Sequence, residues 1–306
     1  MSNVLSSLNG EEITIRNPKE MSLPIYSGAG VTAGENLPQS KGEKDMGNIL
    51  TTRNKYPQQS KMIGFYTGTN CPLTQNPASC GAFCFTNKQL QINPIPEKEY
   101  LNRIAAEVVN FDLAAVVGIT PFLTPELTMK ILREIDKAGK PSGVITPGWV
   151  KHPGIVKLAT WIDVSIHPHN ERQALNFIKW ASSKTRVFAL TTGVSGFNDW
   201  LPGIIPQIKA AGALGVAVGN LVELPGRTIP AAGQDEMQQT LEAIAGMNTP
   251  DFKIMVHFDY TGTQYQTKDF ALPVLMELQD KNRHMLPDGV LRTDHPTKTF
   301  NPKPKN

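Results

Sequence analysis

From Lys61 onward the chain alternates short apolar runs with longer amphipathic ones. Residues 62–67, 113–118, 142–146, 161–167, 185–191, 214–218 and 252–258 are strand-length runs rich in β-branched and aromatic side chains. Helical spacing fills the intervals. In 96–110, Leu101, Ile104, Ala105, Val108 and Val109 fall on one face, and in 125–138 Leu127, Ile131, Leu132 and Ile135 do the same. Further helices are expected at 154–160, 170–183 (with Asn170 as cap), 199–211, 234–246 and near 270–280. Runs such as 113–118 are apolar without alternation, as in strands covered on both faces, and strands separated by helices imply parallel pairing. Seven such strands predict an α/β fold, a partial or complete (β/α) barrel of parallel strands. In that architecture function sits on the loops after the carboxyl ends of the strands. Neither a dinucleotide fingerprint nor a phosphate P-loop occurs.

Outside this pattern the chain is polar. Residues 1–60, with Gly28, Gly30, Gly34 and a charged run at 41–45, read as an N-terminal extension whose one strand-like fragment is Thr14-Ile-Arg16. The barrel is expected over 61–260, and a C-terminal helix and lysine- and proline-containing tail over 261–306. Forty per cent apolar and 19% charged residues suit a globular domain, and a net charge of +3 is too small to argue for nucleic acid. Without eighteen consecutive apolar residues nothing is expected to span a membrane, and the polar N-terminus predicts a reducing cytoplasm.

Composition changes the picture most through cysteine. The chain has three cysteines, and Cys71, Cys80 and Cys84 all fall on one Pro/Asn/Ser-containing loop directly after the first barrel strand. An odd number excludes a complete disulfide framework, and core cysteines have no reason to gather on a loop. Structural zinc asks for four ligands at short paired spacings, whereas here the intervals are eight and three residues, and His152, His167, His169 and His257 lie far from motif distance. Three thiolates on an iron–sulfur cluster would leave one iron open.

With Phe83 preceding the last cysteine, the Cx8Cx3C loop resembles the cluster loop of the radical S-adenosylmethionine superfamily, whose spacings are three and two. Later strand ends resemble that superfamily in the same order. Gly118-Ile-Thr120-Pro121 is similar to its Gly-Gly-Glu-Pro stretch, with Thr120 in place of the carboxylate that meets the amino group of S-adenosylmethionine. Thr146 ends the third strand, and Ser165 stands where a polar side chain meets the ribose. Thr192, Gly193 and Ser195 precede Asn-Asp at a helix start, as in the adenine-binding segment, and Gly219 and Asn220 end the strand whose main chain meets the adenine edge. The likeness spans about residues 61–225.

The resemblance implies an oxygen-sensitive [4Fe–4S] cluster on Cys71, Cys80 and Cys84, with S-adenosylmethionine on its open iron. An external flavodoxin- or ferredoxin-like donor would reduce it, and a 5′-deoxyadenosyl radical would abstract hydrogen from a small-molecule or peptide substrate. With every cysteine used, auxiliary clusters and the two-cysteine methylation route are disfavoured. Rearrangement, fragmentation, coupling, oxidation or glycyl-radical activation remain. His167, Glu223, His257 and Tyr260, together with Asp259 and Tyr265, are candidate substrate contacts near strand ends. Two other readings stay open here: a zinc-dependent barrel hydrolase or aldolase using His167, His169 and His257, and a zinc-stabilised or cofactor-carrier barrel without catalysis. His167 and His169 equally suit capping of the helix that follows them.

Overall fold

The structure is a computed structural model that describes residues 4–6, 12–14, 61–69, 92–118, 121–196, 199–220, 231–257, 274–275 and 283–293. The chain divides into two units, Met1–Lys44 and Asp45–Asn306. In the first, β1 (Val4–Ser6) pairs antiparallel with β2 (Glu12–Thr14), so the strand expected at 14–16 begins two residues earlier.

The second unit alternates as the apolar pattern predicts. β3 (Met62–Tyr66) is followed by α1 (Glu97–Val108), β4 (Leu113–Gly118), a single 3₁₀ turn at Pro121–Leu123 and α2 (Pro125–Lys137). Next come β5 (Ser142–Thr146), α3 (Pro153–Leu158), β6 (Trp161–Ser165) and α4 (Glu171–Ser182). The chain continues through β7 (Arg186–Gly193), α5 (Trp200–Ala210), β8 (Gly215–Asn220), α6 (Gln234–Ala245) and β9 (Lys253–His257). Three short strands complete it: β10 (Val274–Leu275), β11 (Arg283–Met285) and β12 (Leu291–Arg292). The sheet has ten strands in the order β10-β9-β8-β7-β6-β5-β4-β3-β11-β12, parallel throughout except for the β11–β12 hairpin. Among the described residues β10 and β11 are not paired, and the barrel is partial. No helix of the described residues is long and apolar enough to cross a membrane.

Two expectations need correction. The helix near 270–280 contains the strand β10, whose Val274 and Leu275 pair with Val256 and His257, and the rest of that segment lies outside the described residues. A short apolar run does not distinguish strand from helix by period, and Pro273 disfavours helical backbone just before it. On α1 the buried residues are Tyr100, Ile104 and Val108, whereas Ala105 is exposed and Val109 is 55% exposed. The packed face is rotated towards Tyr100, a residue whose hydroxyl hid it from an apolar tally.

Alternation along the strands separates two faces. Ile63, Val116, Val144, Val164, Ala189 and Val218 pack against the helices in the main core. The opposite face gathers Leu113, Trp161, Phe188, Ala217 and Met255, with Met62, Leu190 and Leu214 beside them, so side chains from β3 to β9 meet on one concave side. Trp161 plugs that side. Its indole lies over Gly143, where a Cβ would come within 2.3 Å of the ring, and its Nε1 donates to Asp163 Oδ2 at 2.9 Å. Nearer the carboxyl ends the same face is less sealed: Val117, Ile145, Ser165, Thr192 and Gly219 all keep partial exposure.

Candidate functional site at the carboxyl rim

Parallel register brings the predicted strand-end residues onto one rim. Tyr66 stands opposite Gly118, Thr146 opposite Val164, and Ser165 opposite Leu190. Thr192 stands opposite Gly219, and Gly193 opposite Asn220. Five successive strands, β4 to β8, therefore contribute to a single edge.

Alternation then divides them. Ser165, Thr192 and Gly219 take concave-face positions, offering two part-exposed hydroxyls beside a residue with no side chain. Thr146 is 2% exposed and on the helix side, where its Oγ1 accepts from Gly148 N at 3.1 Å. Gly148, at φ +77°, makes that turn, and Phe177 would lie 3.0 Å from any Cβ there. Gly193 O accepts from Ala232 N at 3.4 Å. Ser195 is exposed, and the next amide, Gly196 N, donates to Glu236 Oε1 at 2.9 Å.

Gly118 is closely covered. A Cβ there would lie 2.5 Å from Tyr66 Cδ1 and Cε1, so the tyrosine ring covers the glycine. Gly118 O accepts from Thr67 N at 2.7 Å and from Thr67 Oγ1 at 3.1 Å. The strand that runs out towards the cysteine loop is thereby fastened to its neighbour just before it leaves the sheet.

Asn170 occupies the N-cap position of α4, but its side chain caps no helix amide. Instead its Oδ1 accepts from His167 N at 2.7 Å, and its Nδ2 donates to Ser165 O at 2.8 Å and Pro147 O at 3.3 Å. It ties the ends of β5 and β6 together. At the start of α3 the cap is His152, whose Nδ1 accepts from Ile155 N at 3.4 Å. His167 is buried, and that burial, with His169 adding to it, pushes its pKa down to about 3. The two imidazoles stack at 5.7 Å with planes 12° apart. Among the described residues no group of three or more His, Cys, Asp or Glu is placed to hold a metal.

One candidate escaped the sequence. His284 of β11 stands opposite Gly64, where a Cβ would lie 3.0 Å from both His284 Nδ1 and Val117 Cγ2. The missing side chain of Gly64 makes room for the ring on the concave face, 6.2 Å from Tyr66 in an edge-to-face contact. Desolvation pushes the pKa of His284 down to about 4, which keeps the imidazole neutral near pH 7. A three-residue strand carries no periodic signal by which it is found.

Cys71, Cys80, Phe83, Cys84, Thr120, Glu223, Asp259, Tyr260 and Tyr265 lie outside the described residues, as do the side chains of Asn220 and His257.

No family model matches the chain, and no curated protein does. Solved structures do. SuiB of Streptococcus suis bound to S-adenosylmethionine matches with a TM-score of 0.60 over 85% of this chain and 67% of its own, at 11% identity. This is the fold of a protein that binds S-adenosylmethionine. SuiB bound to precursor peptide SuiA matches equally well, with a TM-score of 0.60 over 93% of this chain and 70% of that one, at 11% identity. At that identity it is the fold that is shared.

Proposed function

We propose that the protein is a radical S-adenosylmethionine enzyme whose cluster is held by Cys71, Cys80 and Cys84. The observation that carries this reading is a fold likeness to a protein seen with S-adenosylmethionine, in a chain whose cysteines all follow the first strand of the partial barrel. The donor set fits the group: three soft thiolates, with no fourth cysteine in the sequence, in the stretch that follows β3. When bound, a three-thiolate [4Fe–4S] cluster offers an open iron to the amino and carboxylate groups of S-adenosylmethionine, and reductive cleavage there supplies a 5′-deoxyadenosyl radical for hydrogen abstraction.

The remaining work falls to this chain's own residues. Ser165 and Thr192 present hydroxyls that suit a ribose diol, and Gly219 leaves the concave face open beside them for a flat adenine. In this reading the main chain at Gly193 and Asn220 completes the cofactor cradle and Thr120, Ser195 and Phe83 are further cofactor contacts, whereas Gly118, under the Tyr66 ring, and Thr146, buried on the helix side, shape the strand ends instead. His284, neutral and on the concave face, is suited to accept or donate one hydrogen bond to substrate, with His167, Glu223, His257 and Tyr260 as further contacts. The apolar plug around Trp161 keeps water from entering at the amino end. A peptide substrate is favoured over a small molecule by the likeness to a structure holding a precursor peptide. In this reading electrons come from an external flavodoxin- or ferredoxin-like donor, and the reducing cytoplasm expected from the sequence is the compartment that suits it.

The test is product release. Oxygen-free protein incubated with S-adenosylmethionine and dithionite is expected to release 5′-deoxyadenosine, and Cys80→Ala is expected to abolish that release. Equal release by the variant, or none by cluster-loaded wild type, would contradict the proposal.

A further inference from the structure

The pairing of β11 with β3 ends at Met285 opposite Phe65, one residue short of the end of β3. At the same place the register between β3 and β4 shifts, between Phe65 and Tyr66. The backbone of Tyr66 therefore runs past the regular ladder just where the chain turns towards Cys71, five residues on. A buried backbone amide and carbonyl need partners.

Tyr100 supplies them. Its side chain, from the first turn of α1, is 2% exposed. The hydroxyl lies 2.9 Å from Tyr66 O and 3.0 Å from Met285 O, sharing its proton between the two carbonyls. Its lone pair accepts from Tyr66 N at 3.3 Å. One phenol thus takes the place of a sheet rung, joining the end of β3 to the end of β11. Burial raises the pKa of Tyr100 far above the ordinary phenol value, so the donor proton stays in place across the physiological range. On the other flank Thr67 is bound twice to Gly118 O.

We propose that Tyr100, with the Thr67 hydroxyl on the opposite flank, is a positioning residue for the cysteine loop, fixing the point from which the cluster ligands leave the sheet. This rests on the cluster reading above and deepens it. A loop anchored at that point holds its ligands in one orientation towards a cofactor seated along β4 to β8. A loop released there still offers three thiolates and still binds iron, but in a less defined orientation, and rate is sensitive to misplacement on the scale of an ångström.

Tyr100→Phe keeps the ring and removes the hydroxyl. Thr67→Val tests the same take-off point from its other side and serves if Tyr100→Phe does not fold. Thr185→Val is the control: Thr185 Oγ1 donates to Ala159 O at 3.0 Å at the amino end of the sheet, away from the rim. Each oxygen-free protein would be assayed for iron content, melting temperature, the low-temperature electron paramagnetic resonance spectrum before and after S-adenosylmethionine, and 5′-deoxyadenosine release with dithionite. All three variants are expected to melt below wild type and to keep their iron. Release per cluster is expected to fall about tenfold or more in Tyr100→Phe, and in the same direction in Thr67→Val, with an altered spectral response to S-adenosylmethionine. Thr185→Val should match wild type in both readouts. Wild-type release and spectrum in Tyr100→Phe and Thr67→Val would overturn the positioning role alone. A wild-type protein that binds no cluster would overturn the reading beneath it, and the role of Tyr100 with it.

Discussion

His284 and His167 are two imidazoles whose burial sets their protonation. Both titrate in the folded protein below their ordinary value of 6.5, at about 4 and about 3, because the charged form loses its water. Between pH 6.5 and about 4 the unfolded chain therefore binds more protons than the folded one, and stability rises with pH across that window. Acidification from pH 7 to pH 5 is expected to lower the melting temperature, with each group contributing at most ~2 kcal/mol of that loss. His284→Gln, which cannot titrate, should flatten part of the slope. A melting temperature that is constant or rising as pH falls from 7 to 5 would contradict this account. Asp251 and Asp288, whose pKa values lie below the ordinary 3.8, contribute only at more acid pH.

At the scale of elements, the rim is held by bonds between strand ends rather than by the strands alone. Asn170 is 4% exposed and reaches His167, Ser165 and Pro147, so it sets where β6 presents the Ser165 hydroxyl. Asn170→Ala removes an acceptor and a donor from a buried site and is expected to cost ~1–3 kcal/mol in urea unfolding. Asn170→Asp should restore the bond from His167 N and lose those to Ser165 and Pro147. A cost below ~0.5 kcal/mol for the alanine variant would show that these bonds do not hold the rim. Elements of this kind were legible in the sequence in proportion to their length. The apolar run at 113–118 coincides with β4, and the helices on its two sides end within two residues of expectation at most termini. β10, β11 and β12, of two or three residues each, exist only through their neighbours and left no trace in the pattern. Side-chain roles were legible where alternation decides them. Once Val144 packs on the helices, Thr146 must as well, whereas the bonds of Asn170 and Tyr100 depend on elements far apart in sequence.

At the scale of the molecule, the second unit combines a sheet covered by helices on one face with a concave face that is plugged by Trp161 at one end and partly open at the other. The parallel strands β3 to β9 put their carboxyl ends on one rim, and the sequence places its three cysteines shortly after the first of those ends. That coincidence, with the fold likeness to an S-adenosylmethionine-bound protein, is the basis of the proposed chemistry. Metal analysis of oxygen-free protein reconstituted with iron and sulfide tests it most directly. About four iron and four sulfide per chain are predicted, with broad visible absorption that bleaches on reduction and is lost in the Cys71, Cys80 and Cys84 alanine variants. A colourless protein carrying one zinc per chain and no sulfide would contradict the account.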